Sequence, residues 1–178
     1  MPKLPDESFV PYKINPVGRR AVPFNRFLFP NGEFNIPPVE GSANGKLVID
    51  LTMHQLGRLK EPIALTIVKG RITEIDGHSD AFTLRTYLAR YGDENAYLCP
   101  AEASIGINSK ALIRGVQRED KNILGSIHFG LGTNIDVGGT VMSRIHMDGV
   151  ILEPTLYVDG DKRIAGGKFL RPVEGPTQ

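Results

Sequence analysis

The chain has 178 residues, with 21 Lys plus Arg against 20 Asp plus Glu and a formal charge of +1. That suits one domain able to bury a core, and with no block of like charges it offers no basic stripe for nucleic acid or anionic membranes. No apolar run approaches the ~18 residues of a membrane span and the start lacks a secretory signal's apolar stretch, so the expected compartment is the cytoplasm. A single cysteine, Cys99, excludes an internal disulfide and every Cys-rich zinc module, which leaves histidines and carboxylates as ligands for any metal.

Residues 1–28 carry Pro2, Pro5, Pro11, Pro16 and Pro23, too many for a helix or a central strand, and are expected to form an extended arm. A single domain is expected over 29–172, followed by a frayed tail at 173–178. Within it, apolar stretches at 33–39, 46–51, 62–69 and 71–75 read as strands, the last pair a hairpin turning at Gly70. Leu84, Tyr87, Leu88 and Tyr91 recur at helical spacing, with Ser79 or Asp80 to cap the start and Gly92 after the end. This predicts a helix over about 79–91. Further strands are expected at 101–107, 123–131, 140–146, 149–157 and 163–164, with turns at Asp148-Gly149 and Asp159-Gly160. The fold class is α+β, β-rich and mostly antiparallel, with that one clear helix.

Several residues carry chemistry. His146 and Asp148 stand two apart, so on a strand both point to one face and can converge on one cation. Spacing alone equally allows, and favours, a half-buried strand histidine followed by a turn at Asp148-Gly149. His128 lies in an apolar run with Gly130 and Gly132, where a core histidine and a ligand are both open readings. Glu102 sits among small and apolar residues; a carboxylate buried there needs a cation or a donor. Glu33 and Glu40 flank Pro37-Pro38 and either is free to be solvated. Gly130-Leu131-Gly132 and Gly138-Gly139 do not form a dinucleotide loop, because the third glycine is misplaced and no helix pattern follows. Cys99 has no neighbouring histidine in sequence and reads as inert packing.

Taken in order, the fragments Phe29-Pro30-Asn31-Gly32-Glu33-Phe34, Ala101-Glu102 with Ile105-Gly106 and Asn108, Gly125-Ser126-Ile127-His128-Phe129-Gly130-Leu131-Gly132, Gly138-Gly139, His146-Met147-Asp148 and Leu156-Tyr157-Val158-Asp159-Gly160 resemble the metal-binding part of the M29 (aminopeptidase T-like) metallopeptidases. Iron-dependent 2,5-dihydroxypyridine dioxygenases are also similar to that family. The resemblance implies metal ligands at Glu33, Glu102, His128, His146 and Asp148, with Glu33 and Glu102 the candidate catalytic carboxylates. It implies one or two divalent ions (Zn, Mn, Co or Fe(II)), a small-molecule or short-peptide substrate and a homodimer. The leading expectation is a hydrolase in which a metal-activated hydroxide attacks a peptide or amide carbonyl. The alternative is a mononuclear Fe(II) dioxygenase opening a hydroxylated aromatic ring, with His128, His146 and Asp148 on the iron and a glutamate behind them. Ile135, where the peptidases carry a tyrosine, leans toward that alternative. A stand-alone domain that binds metal without turnover is the third reading.

Overall fold

In Ile127-His128-Phe129-Gly130-Leu131-Gly132, bulky apolar side chains alternate with histidine and glycine, the pattern of a strand with one face on a core and the other facing something polar. The protein is described by a computed structural model over residues 32–170, where this segment forms β8 (Ile127–Gly132). Strands are numbered in chain order. β8 lies in a six-stranded sheet of order β1 (Glu33–Ile36), β7 (Glu102–Gly106), β8, β9 (His146–Ile151), β3 (Thr52–Met53) and β4 (Gly57–Arg58). Every neighbouring pair is antiparallel.

One face of this sheet packs on a second antiparallel sheet, β2 (Gly45–Ile49), β5 (Ile63–Val68) and β6 (Arg71–Asp76), and with it on α1 (Ser79–Tyr91). Ile49, Ile63, Leu65, Ile67, Leu84 and Leu88 meet Leu131 and Met147 in one buried cluster. Gly149 is required there: a Cβ on it would stand 2.3 Å from Ile49 Cδ1. Side-chain direction alternates along a strand, so Leu131 and Met147 in the core send His128, Gly130, His146 and Asp148 to the opposite face. A third small sheet, β10 (Leu156–Val158), β11 (Asp161–Ala165) and β12 (Lys168–Phe169), completes the described chain.

The strand-rich α+β expectation and the helix over 79–91 agree with this architecture. The details differ at instructive places. Neither Ser79 nor Asp80 caps α1; His78 takes the N-cap position without a side-chain bond, and Asp80 Oδ2 accepts the backbone N–H groups of Lys60 (2.6 Å) and Glu61 (3.3 Å). Gly92 is extended rather than left-handed, and is needed because a Cβ would lie 2.6 Å from the Leu88 carbonyl oxygen. The strand expected at 140–146 is irregular up to Ile145, and the one expected at 149–157 is two strands, β9 and β10. Likewise β8 begins at Ile127 and is preceded by a short helix, α2 (Gln117–Asp120). Asp159-Gly160 does turn, with φ of 53° and 87°. Asp148-Gly149 does not; it is held extended inside β9 by β8 on one side and β3 on the other. The N-terminal arm at 1–28, residues 29–31 and 171–172 at the ends of the expected domain, and the tail at 173–178 lie outside the described residues.

Candidate metal centre

Register places the candidate residues together. Glu102 pairs with Gly130 and Gly130 with Asp148, so these three form one row across β7, β8 and β9. Two residues along, Ser104 pairs with His128; in the other direction Gly132 pairs with His146. Glu33 on β1 stands opposite Gly106, four residues from Glu102 and therefore on the same face. Glu33, Glu102, His128, His146 and Asp148 thus share the face turned away from the core. Gly130 in the middle of the row keeps the centre open, since a Cβ there would be 3.0 Å from both Glu102 Cβ and His146 Cε1.

The side chains close into a ring. His146 Nε2 is 2.9 Å from Asp148 Oδ1 and 3.4 Å from Glu102 Oε2. Glu102 Oε1 is 3.2 Å from His128 Nε2, which lies 3.8 Å from Glu33 Oε2. The last link is Lys121, whose Nζ is 3.1 Å from Glu33 Oε2 and 3.3 Å from Asp148 Oδ2. Donors from outside orient the carboxylates: Ser104 Oγ donates to Glu102 Oε1 (2.8 Å) and Gln117 Nε2 to Asp148 Oδ2 (2.7 Å). The His146 ring is fixed by its Nδ1–H, donated to the carbonyl of Thr133 at 2.8 Å. A carbonyl only accepts, so Nδ1 carries a hydrogen, and Nε2, turned toward the two carboxylates, is the nitrogen that can ligate an ion once the ion displaces its proton.

The electrostatics are those of a cation-binding site. With protons and Lys121 as the only counter-charge, burial would lower the pKa of His146, yet the hydrogen bonds and charges of Asp148 and Glu102 push it up to about 10. Burial would raise that of Glu102, but His128 and His146 hold it down to about 2. Asp148 stays well below the usual carboxylate range: burial opposes this, and His146 and Lys121 overcome it. Lys121 is raised, against its own burial, by Asp148 and Glu33. Buried Glu33 Oε2 and Asp148 Oδ1 take their counter-charge from Lys121 Nζ (3.1 Å) and His146 Nε2 (2.9 Å), while His128 Nδ1 is buried without a hydrogen bond, a costly state for a polar atom.

Ligand atoms of Glu102, His146 and Asp148 all lie within 4.8 Å of one another. Atoms bound ~2.1 Å from a common ion stand about 3 Å apart at adjacent positions, and the 2.9 and 3.4 Å separations from His146 Nε2 match that spacing. The residues therefore fit a divalent metal, with Glu102, His146 and Asp148 its nearest holders and His128 and Glu33 one contact further round the ring. Lys121 and Gln117 were not singled out in the sequence; they reach the site from α2 and the residue after it, and no periodicity marks that segment. Glu40 is half-buried, and its Oε1 accepts from Asn134 Nδ2 (2.9 Å) and Thr140 N (3.0 Å), bracing the loop that follows Thr133. Cys99 is fully buried and its thiol is pushed up to about 12 by burial, consistent with inert packing.

Comparison with known proteins follows the same residues. Residues 25–171 match the sequence profile of the 2,5-dihydroxypyridine 5,6-dioxygenase family. A 2,5-dihydroxypyridine 5,6-dioxygenase from Pseudomonas putida strain KT2440 is 28% identical over 158 residues, covering 82% of this chain and 45% of its own length. The solved structure of 2,5-dihydroxypyridine dioxygenase from Pseudomonas putida KT2440 superposes with a TM-score of 0.71 at 26% identity, over 78% of this chain and 43% of that one. The chain thus spans about half the length of the relatives it matches. These findings overturn the aminopeptidase and hydrolase expectation. The motifs behind it are the strand positions that build the sheet and gather the charged groups, and such positions do not specify which reaction is run.

Proposed function

The chain belongs to the 2,5-dihydroxypyridine 5,6-dioxygenase family, and from that premise we propose that it serves the oxygen-dependent opening of a hydroxylated pyridine ring. The observation that carries the reading is the convergence of Glu102, His146 and Asp148 on one face, within ligand distance of one another. An oxygen- and nitrogen-rich donor set without thiolate suits Fe(II) and leaves positions for substrate and O₂. A ferrous ion held by Glu102, His146 and Asp148 would supply a positive charge for a ring hydroxyl and a redox-active centre between the electron-rich ring and dioxygen.

The protein's own groups do the rest. Thr133 and Gln117 fix the angles of His146 and Asp148 before any ligand arrives. His128 is fully buried between Glu102 and Glu33, and we assign it to hold the proton that a ring hydroxyl gives up on binding. Glu33, ion-paired with Lys121, lies 3.8 Å from His128 Nε2 and places a negative charge beside that imidazole. The same reading takes the protein as a cytoplasmic homodimer. Support for pairing comes from Phe34, Ile107, Leu112, Ile113, Val116 and Leu124, exposed on the edge strand β1 and on the segment between β7 and β8. Among the described residues no helix is long and apolar enough to cross a membrane.

The test is oxygen uptake by protein loaded anaerobically with Fe(II), in the presence of 2,5-dihydroxypyridine. Uptake coupled to loss of the ring's absorbance is expected, abolished in Asp148→Ala and retained in Glu74→Ala, whose carboxylate accepts from Thr66 Oγ1 on the three-stranded sheet. Iron bound to the full chain with no oxygen uptake from any dihydroxypyridine would sink the reading.

A further inference from the structure

β1 ends the six-stranded sheet, so only one of its two edges is paired among the described residues. The ladder fixes which backbone groups face the other edge. Ile107 donates its N–H to the carbonyl of Gly32 at 2.7 Å, and bonding in an antiparallel pair alternates along the strand. Phe34 therefore bonds to Ile105 and Ile36 to Ala103, while Glu33 and Asn35 turn their N–H and C=O groups outward. The bonds of β7 agree: Gly106, opposite Glu33, donates to Ser126 at 2.9 Å rather than to β1. Pro37, the next residue to face outward, has no N–H and closes the run.

This edge lacks the exposed charges that keep strands from pairing. The Glu33 carboxylate is turned into the ring of the metal centre, its side chain 6% exposed, and Phe34, Asn35 and Ile36 are uncharged. Phe34 is 58% exposed; Ile107, two residues on from its cross-strand partner Ile105 and so on the same face, is 51% exposed.

We infer that β1 pairs with β1 of a second copy of this chain, antiparallel about a two-fold axis at Phe34, so that two six-stranded sheets become one. The inference rests on the homodimer reading above and names its interface. The outward groups are self-complementary in one register, with Glu33 opposite Asn35 of the partner subunit and Asn35 opposite the partner subunit's Glu33. Each of these pairs exchanges two N–H···O bonds, and one patch meets its own copy, as a two-fold axis requires. Sliding by two residues one way would oppose the two Glu33 residues, like charge against like. Sliding the other way would set Glu33 against the partner's Pro37, which has no N–H. In the favoured register Phe34 meets the partner's Phe34 at a non-hydrogen-bonded position, where side chains approach most closely. The strand that carries Glu33 into the metal centre is then bonded on both edges, with a neutral amide, the partner's Asn35, beside it on that face.

The test is association of the full chain, followed by sedimentation equilibrium over a range of concentrations and by thiol cross-linking. Wild type is expected to be a dimer. Asn35→Pro removes an outward N–H and spares the β1–β7 ladder, since proline is tolerated where an edge strand's N–H points away from the sheet. It is expected to raise the dimer dissociation constant at least about tenfold. Phe34→Cys is expected to give a covalent dimer with diamide, because Cα atoms at that position stand ~4.5 Å apart, inside the disulfide range of about 4.4–6.8 Å. Leu112→Cys, on the exposed segment between β7 and β8, is expected to give none, and buried Cys99 does not compete. Circular dichroism melts verify folding. An undiminished dimer in folded Asn35→Pro, or no disulfide in folded, dimeric Phe34→Cys, would overturn the inference while leaving the homodimer standing. Wild type that stays monomeric at every concentration would instead remove the homodimer reading itself, and this inference with it.

Discussion

Replacing Gly130 by alanine adds one methyl group to the middle of the row Glu102, Gly130, Asp148. The new Cβ would stand 3.0 Å from Glu102 Cβ, 3.0 Å from His146 Cε1 and 3.3 Å from the Glu102 backbone nitrogen. Ordinary carbon contacts are ~3.5 to 4.0 Å, so the His146 ring must move by several tenths of an ångström. It cannot slide freely, because Nδ1–H is bonded to the Thr133 carbonyl at 2.8 Å; it pivots there and carries Nε2 out of line with the carboxylates. Metal bonds tolerate only about 0.2 Å. We therefore expect Gly130→Ala to bind Mn(II) about tenfold more weakly, or ~1.4 kcal/mol, the low end of the range for disturbing the groups that orient ligands. Gly149→Ala is the matched control on the other face of the same sheet, where the added Cβ meets Ile49 Cδ1 at 2.3 Å. Overpacking of about 1–3 kcal/mol should lower its melting temperature by several degrees while leaving metal affinity unchanged in the folded protein. Isothermal titration calorimetry and thermal melts separate the two effects. Wild-type affinity in folded Gly130→Ala would refute the claim that this glycine holds the centre open.

Proton linkage gives a second expectation. His146 carries a proton up to a pKa of about 10 when no cation competes, and an ion at Nε2 must displace it. Close to one proton should therefore be released from this ring per ion at pH 7, and Mn(II) affinity should rise about tenfold per pH unit below that pKa; titrations in buffers of different ionisation enthalpy count the proton, and titrations at several pH values giving one constant affinity would refute the linkage. Cys99, with a buried thiol pushed up to about 12, should resist thiol reagents at pH 8 in native protein and react at once in denaturant; rapid native labelling would contradict its burial. Leu84, fully buried on α1, which packs on β5 and β6, should cost ~2–5 kcal/mol when cut to alanine, measured by urea denaturation; a change under ~1 kcal/mol would mean that this core face is loosely packed.

Much that depends on near neighbours was legible in the chain. The stripe Leu84, Tyr87, Leu88, Tyr91 marked α1, and Lys69 with Gly70, at φ of 50° and 72°, turned the β5–β6 hairpin where glycine placed it. Helical and strand periods are properties of a few consecutive residues, so a local reading finds them. The same local rules gave one answer to Asp148-Gly149 and Asp159-Gly160, and the structure gives two. Strands β8 and β3 hold the first extended and Ile49 fills the space over its glycine, while the second turns freely at the surface. The two-residue strands β3 and β4 carry no period at all and exist only through their partners.

The site divides in the same way. Sequence by itself determined the chemistry available: carboxylates and imidazoles without useful thiol, with His146 and Asp148 two apart and so on one side of any strand. Tertiary structure decided which of them meet. Register across β1, β7, β8 and β9 put Glu33, Glu102 and His128 on that same side, and α2 with the residue after it carried Gln117 and Lys121 over it from a segment with no pattern. Cross-strand register and the reach of a long flexible side chain are set by contacts between residues distant in the chain, and no window along one strand contains them.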